Sequence, residues 1–174
     1  RYMLYVYTGE GKGKTTAAVG LIMRAYGAGK SCAIIFFDKN FDYCNEMGTL
    51  RELGIRSNIF GVNRILDQSF RFENIEEDFT EAKKALGAAR EIIKEGAVDV
   101  FVLDEILNMI RTGLVAIEEV LQLIDSWPRE KYLVLTGRGL PREIAERADL
   151  ISEINVIRHP FLEKKIPAQR GIDY

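Results

Sequence analysis

The strongest chemical signal in the chain is the run Tyr5-Val6-Tyr7-Thr8-Gly9-Glu10-Gly11-Lys12-Gly13-Lys14-Thr15-Thr16. An apolar strand enters a glycine-rich turn, and Gly13-Lys14-Thr15 opens an alanine-rich helix. Glycines accept positive φ and let backbone N–H groups converge on one anion. A helix that starts near Lys14 adds its unpaired first-turn N–H groups and the positive end of its dipole. The Lys14 ammonium can then reach the β- and γ-phosphates, and the Thr15 hydroxyl can ligate Mg²⁺. Gly9, Glu10, Gly11, Lys12, Gly13, Lys14, Thr15 and Thr16 are therefore candidate contacts to ATP. The usual spacing of such a loop puts glycine where Thr8 stands. The plainer alternative is a tight turn with surface lysines, which leaves two like charges crowded together without an anion.

A second signal is Val100-Phe101-Val102-Leu103-Asp104-Glu105, an apolar strand that ends in two carboxylates. This has the form of a Walker B segment, in which Asp104 or Glu105 holds Mg²⁺ opposite Thr15. Asp104 could instead cap a following helix. Glu105 could activate water, which would make the chain an ATPase or GTPase. A guanine-selecting Asn-Lys-x-Asp segment does not follow the fourth strand, where Thr136-Gly137-Arg138-Gly139 stands instead. GTP hydrolysis is thereby disfavoured, and a small-molecule kinase or an ATP-hydrolysing NTPase stays open.

Arg138 follows that strand and can meet a phosphate chain from the far side, or simply decorate a turn. Arg24, on the first helix, suits either a salt bridge along the helix face or a contact to nucleotide or partner. Asp38 and Lys39 end the second apolar strand, where open α/β sheets place ligands. Phe70 and Phe72 alternate in a polar stretch and read either as anchors of that loop or as a surface for a flat apolar or macrocyclic ligand. His159 is the only histidine. With two separated cysteines, Cys32 and Cys44, it makes no zinc set and reads as a capped or surface histidine in the tail.

Holding these groups together requires a sheet. Apolar runs predict strands at Met3–Tyr7, Ser31–Phe37, Val98–Leu103, Lys131–Leu135 and Leu150–Val156, with a weaker one at Ser57–Phe60. Helices are expected at Thr15–Tyr26, Asn45–Leu53, Glu77–Lys94, Asn108–Thr112, Ala116–Ser126 and Pro141–Arg147. On the first helix, Ala17, Ala18, Leu21, Ile22 and Ala25 are the expected inward residues. Asn63–Glu77, which includes Asp67, reads as a long active-site loop or lid. The order argues for an α/β, doubly wound, mostly parallel sheet of the P-loop NTPase kind, with helices on both faces. Residues 1–174 read as a single domain with a polar C-terminal arm from about residue 158. Gly9–Thr15, Asp38–Asn40, Asp104–Glu105 and Thr136–Arg138 then converge on one sheet edge.

Composition agrees with a soluble globular chain: 47% of residues are apolar and the formal net charge is −2. That balance argues against a general nucleic-acid binder, which needs a basic face. No apolar run is long enough for a bilayer and no leader precedes Tyr2. A reducing cytoplasm is the default for two unpaired cysteines.

The series Thr8-Gly9-x-Gly11-Lys12-Gly13-Lys14-Thr15-Thr16-Ala17-Ala18 and Arg24-Ala25-x-Gly27-x-Gly29-Lys30 resembles the opening of the bacterial ATP:corrinoid adenosyltransferases. The resemblance continues through Leu103-Asp104-Glu105, Leu135-Thr136-Gly137-Arg138-Gly139, Ala148-Asp149-Leu150, Arg158-His159-Pro160 and Ala168-Gln169-x-Gly171-Ile172-Asp173-Tyr174. The altered start of the phosphate loop is itself a feature of that family.

The resemblance implies transfer of the 5′-deoxyadenosyl group of ATP to Co(I) in a corrinoid, with triphosphate leaving. It implies triphosphate contacts from Gly9–Thr15, Lys12, Lys14 and Arg138, Mg²⁺ held by Thr15 and Glu105, and Arg24 near the nucleotide. The family's aromatic pair lies against the corrinoid and helps remove its lower axial ligand. Phe70 and Phe72 are the nearest counterparts, although no tryptophan stands there. Glu10 also departs from the asparagine common in the family loop. A flavoprotein reductant and a homodimer are further implied.

Overall fold

The computed structural model describes residues 3–66, 69–128 and 130–174. Asp67, part of the expected lid, lies outside the described residues. Six strands form one sheet: β1 (Met3–Thr8), β2 (Cys32–Phe37), β3 (Arg56–Phe60), β6 (Val100–Asp104), β7 (Tyr132–Thr136) and β8 (Leu150–Glu153). Their order is β3-β2-β6-β7-β1-β8, and every pairing between them is parallel. A two-stranded hairpin of β4 (Ile65–Leu66) and β5 (Ser69–Phe70) stands apart. It occupies the stretch expected to be a loop without regular structure.

Both faces of the sheet are covered, which is why β2 reads as the unbroken apolar run CAIIFF. Alternate residues serve opposite sides. Ala33, Ile35 and Phe37 meet α3 (Glu76–Glu95), α4 (Ile106–Arg111), α5 (Ile117–Ser126) and Ile144 of α6 (Arg142–Ala145). Ile34 and Phe36 meet Ala18 and Ile22 of α1 (Lys14–Gly27) and Met47 and Leu50 of α2 (Glu46–Glu52). Between β1 and β2, α1 packs across β1, β7, β6 and β2. The chain therefore leaves β1 toward one face and leaves β6 and β7 toward the other. A crevice opens at the carboxyl ends of these strands, where such sheets bind ligands.

Several local expectations change. Ala17 is exposed, and only Ala18 and Ile22 among the inward set on α1 are fully covered, because the helix touches the sheet along a narrow stripe. Strand β8 stops at Glu153, not at Val156. Ile154 turns onto the phosphate-loop backbone, its N–H donating to Thr8 O (2.8 Å) and its O accepting from the Gly11 N–H (2.7 Å). A Cβ on Gly9 or Gly11 would stand 2.4 or 2.7 Å from Ile154 O. Gly11 is thus required by this close approach and not by a positive φ, which Gly9 and Gly13 do adopt.

Candidate active site at the carboxyl edge of the sheet

The floor of the crevice is built from charges that the sheet pushes toward one another. Lys14 opens α1 and is buried, with Nζ donating to Gly11 O at 2.6 Å. Burial pulls its pKa down, only partly opposed by Glu105, and the nearby Arg138 cation adds to the fall. Asp104, the last residue of β6, is fully buried. Its Oδ1 accepts from Thr136 Oγ1 (2.7 Å), while Oδ2 accepts from Lys39 Nζ (2.5 Å) and Thr15 Oγ1 (3.2 Å). Lys39 Nζ also lies 3.1 Å from Thr15 Oγ1. Burial works against the Lys39 charge, but Asp104 and Glu105 outweigh it and raise its pKa.

Glu105 takes a left-handed backbone (φ 64°) at the start of α4, and its N–H donates to Thr136 Oγ1 (2.8 Å). Burial first, and then the Asp104 carboxylate, raise its pKa against the pull of Lys39, Lys14 and Arg138. Asp104 does not cap α4. Its side chain faces Thr136 and Lys39 instead.

Above this floor lies a cavity of about 960 Å³. Glu10 through Thr16 line it, together with Lys39, Glu105 and Arg138. Gly9 lies behind the loop against Ile154, and Asp104 lies beneath the floor. Arg138 Nε stands 3.4 Å from Glu10 Oε2, so the loop carboxylate has a cation beside it.

The opposite wall comes from residues far along the chain. Lys12 forms an ion pair with Asp173 and donates to Ile172 O (3.2 Å). The rings of Tyr43 and Tyr174 meet at 4.9 Å. His159, Phe161 and Leu162 complete this wall. His159 Nδ1 accepts from the Phe161 N–H (3.2 Å) and caps α7 (Pro160–Lys164).

Other expected site residues lie elsewhere. Arg24 is exposed on α1 and does not line the cavity. Asp38 turns away at φ 51°, and both its oxygens accept from Arg64 Nε (2.8 and 3.0 Å). Arg64 also reaches Asn74, while Arg71 pairs with Asp78. This ionic cluster ties the β4–β5 hairpin to the end of β2. Phe70 and Phe72 project from the hairpin side with rings 4.8 Å apart, 52% and 81% exposed, and are not part of the cavity wall.

Of Asp38 and Lys39, which the sequence places together at the end of the second strand, only Lys39 lines the cavity. Thr136 was visible as part of Thr-Gly-Arg-Gly but without a role. Tyr43, Asn45 and Tyr174, also in the wall, carried no signal at the level of spacing.

A glycine turn between strand and helix, a buried lysine and a strand-end acidic pair over a parallel sheet define a P-loop-type α/β protein. A solved structure of a KaiC-like protein, PH0186 from Pyrococcus horikoshii OT3, shares the fold, with a TM-score of 0.56 at 18% identity over 90% of this chain and 74% of that one. A family model described as ATP:corrinoid adenosyltransferase BtuR/CobO/CobP matches residues 1–174, and the chain belongs to this family of enzymes. It is 33% identical to the corrinoid adenosyltransferase of Escherichia coli (strain K12), across 100% of this chain and 86% of the relative. It is 31% identical to corrinoid adenosyltransferase CobA of Salmonella typhimurium (strain LT2), with the same coverage.

Proposed function

We propose that this chain carries out its family's reaction through the crevice just described. The 5′-deoxyadenosyl group of ATP passes to the cobalt of a reduced corrinoid. The electron pair of Co(I) forms the Co–C5′ bond, the C5′–O bond breaks, and its pair leaves on triphosphate. No side-chain nucleophile is required, so the protein's work is placement and charge neutralisation.

Lys14 and the loop N–H groups hold the triphosphate at the floor, with Lys12 and Arg138 on either side. Burial that lowers the pKa of Lys14 favours a site completed by an anion. Thr15, Asp104 and Glu105 offer hard oxygen donors of the kind Mg²⁺ takes. A cation already fits among them, because Lys39 Nζ touches both Thr15 Oγ1 and Asp104 Oδ2. Mg²⁺ bound there supplies neutralisation of the departing triphosphate. The exposed pair Phe70 and Phe72 offers a flat macrocycle an apolar surface, and we assign it to the corrinoid. We place Arg24 and Asp38 outside the nucleotide site.

The observation that carries this reading is the family match across the whole chain, joined to a phosphate loop that closes on a strand-end carboxylate. A flavoprotein reductant and a cytoplasmic setting belong to the same proposal, as does a homodimer, whose surface would draw on the exposed Leu150 and Ile151 of edge strand β8. No helix among the described residues is long and apolar enough to cross a membrane.

The test is product analysis with Mg-ATP and a Co(I) corrinoid under strict exclusion of oxygen. Equal amounts of triphosphate and adenosylated corrinoid are expected. ADP and phosphate as the sole products would instead establish the kinase or NTPase reading.

A further inference from the structure

Lys39 has a position that the phosphate-loop scheme does not require. Its ammonium bridges Asp104 Oδ2 (2.5 Å) and Thr15 Oγ1 (3.1 Å), the same two oxygens that a divalent cation would take. The backbone enforces this placement. Asp38 turns through a left-handed conformation, the Lys39 N–H donates to Phe60 O (3.4 Å), and the ammonium lies 5.3 Å from the centre of the Phe36 ring. Gly61 lets the end of β3 approach so closely that a Cβ would stand 2.5 Å from the Lys39 nitrogen.

We propose that Lys39 is a tethered cation that holds the metal position until nucleotide arrives, and so couples divalent-cation binding to ATP binding. This rests on the assignment of Thr15 and Asp104 to a metal in the proposed function.

The argument is one of competition. Asp104 is fully buried, and an ionised carboxylate in the interior needs a counter-charge. Lys39 supplies it at high effective concentration because the lysine is part of the chain. A free divalent cation must shed water, which Mg²⁺ does reluctantly, and must also displace this ammonium. Phosphate oxygens change the balance. Lys39 lines the same cavity as Lys14 and Glu105, so a triphosphate there offers its ammonium a second anionic partner. Released from Asp104, Lys39 moves onto the phosphates, and the carboxylate and the Thr15 hydroxyl become available. Affinity for the cation then depends on nucleotide, and by linkage the reverse holds.

The test reads cation binding and not turnover. Mn²⁺ is titrated by electron paramagnetic resonance into the full chain, with and without a non-hydrolysable ATP analogue, alongside free analogue to subtract the Mn²⁺ it binds by itself. The wild-type chain is expected to bind Mn²⁺ at this site only with the analogue. Lys39→Met is expected to bind Mn²⁺ alone about tenfold or more tightly than wild type, and to melt higher when Mn²⁺ is added. Lys39→Arg, which keeps a cation there, should behave as wild type.

Equal Mn²⁺ affinity of Lys39→Met and wild type without nucleotide would overturn the proposal. If Lys39→Met does not fold, the wild-type chain still decides. Mn²⁺ binding of equal strength with and without analogue, abolished by Asp104→Asn in both cases, overturns it as well. Should Asp104→Asn leave Mn²⁺ binding with analogue untouched, the metal assignment falls and takes this proposal with it. The identity of the transferred group is tested separately by product analysis, so either reading can fail alone.

Discussion

The two walls of the cavity are built on different terms. The floor joins the ends of β1, β2, β6 and β7, four neighbours in or beside one parallel ladder. Its central carboxylate, Asp104, is fully buried and has three side-chain partners. The opposite wall draws on exposed segments, where Lys12 reaches Asp173 and Ile172 and the Tyr174 ring meets Tyr43. Residues 161–173 are exposed throughout, and Phe72 is 81% exposed. A triphosphate needs donors fixed before it arrives, since reorganising charge during reaction would forfeit stabilisation. A macrocycle needs an entrance. The contrast teaches that the densest side-chain network lies at the charged floor, while the far wall and the aromatic pair of the hairpin stand exposed.

The sharpest way to break the contrast is Asp104→Ala. It leaves Lys39 facing the interior without its anion, and a loss of about 3 kcal/mol in stability is expected. Chemical denaturation measures it, and a loss below about 1 kcal/mol would mean that the floor is no more rigid than the surface. Next comes Lys14→Ala, expected to weaken ATP binding by roughly a hundredfold with the fold intact, as read by calorimetric titration. Unchanged affinity would remove the phosphate-loop assignment.

Tyr174→Ala addresses the far wall. Loss of the Tyr43 contact should lower stability by about 1 kcal/mol or less and speed ATP release, measurable by stopped flow. A loss as large as that of Asp104→Ala would erase the distinction between the walls. The smallest change is expected of Phe72→Ala: stability within about 0.5 kcal/mol, ATP affinity unchanged and corrinoid affinity reduced. If ATP affinity falls instead, the aromatic pair supports the nucleotide side.

The floor is largely legible in the sequence itself. Continuous apolar runs such as Cys32–Phe37 declare a strand covered on both faces, and parallel strands must bring their carboxyl ends together. Gly13-Lys14-Thr15 and Asp104-Glu105 therefore had to meet. The far wall was much less so. Segment 158–174 carries Asp173 back to Lys12, and neither residue's type announces the other. The hairpin β4–β5 is too short to show a period.

Residue order and type alone determined the parallel sheet, the phosphate loop and its acidic counterpart, because burial on two faces and a helix start leave local patterns. Tertiary structure decided which of two adjacent residues, Asp38 or Lys39, enters the site, and why Gly11 must be glycine. The first follows from a backbone turn at φ 51° that hands Asp38 to Arg64, the second from the carbonyl of Ile154 pressed against the loop. Both depend on contacts between distant segments, which no local pattern encodes.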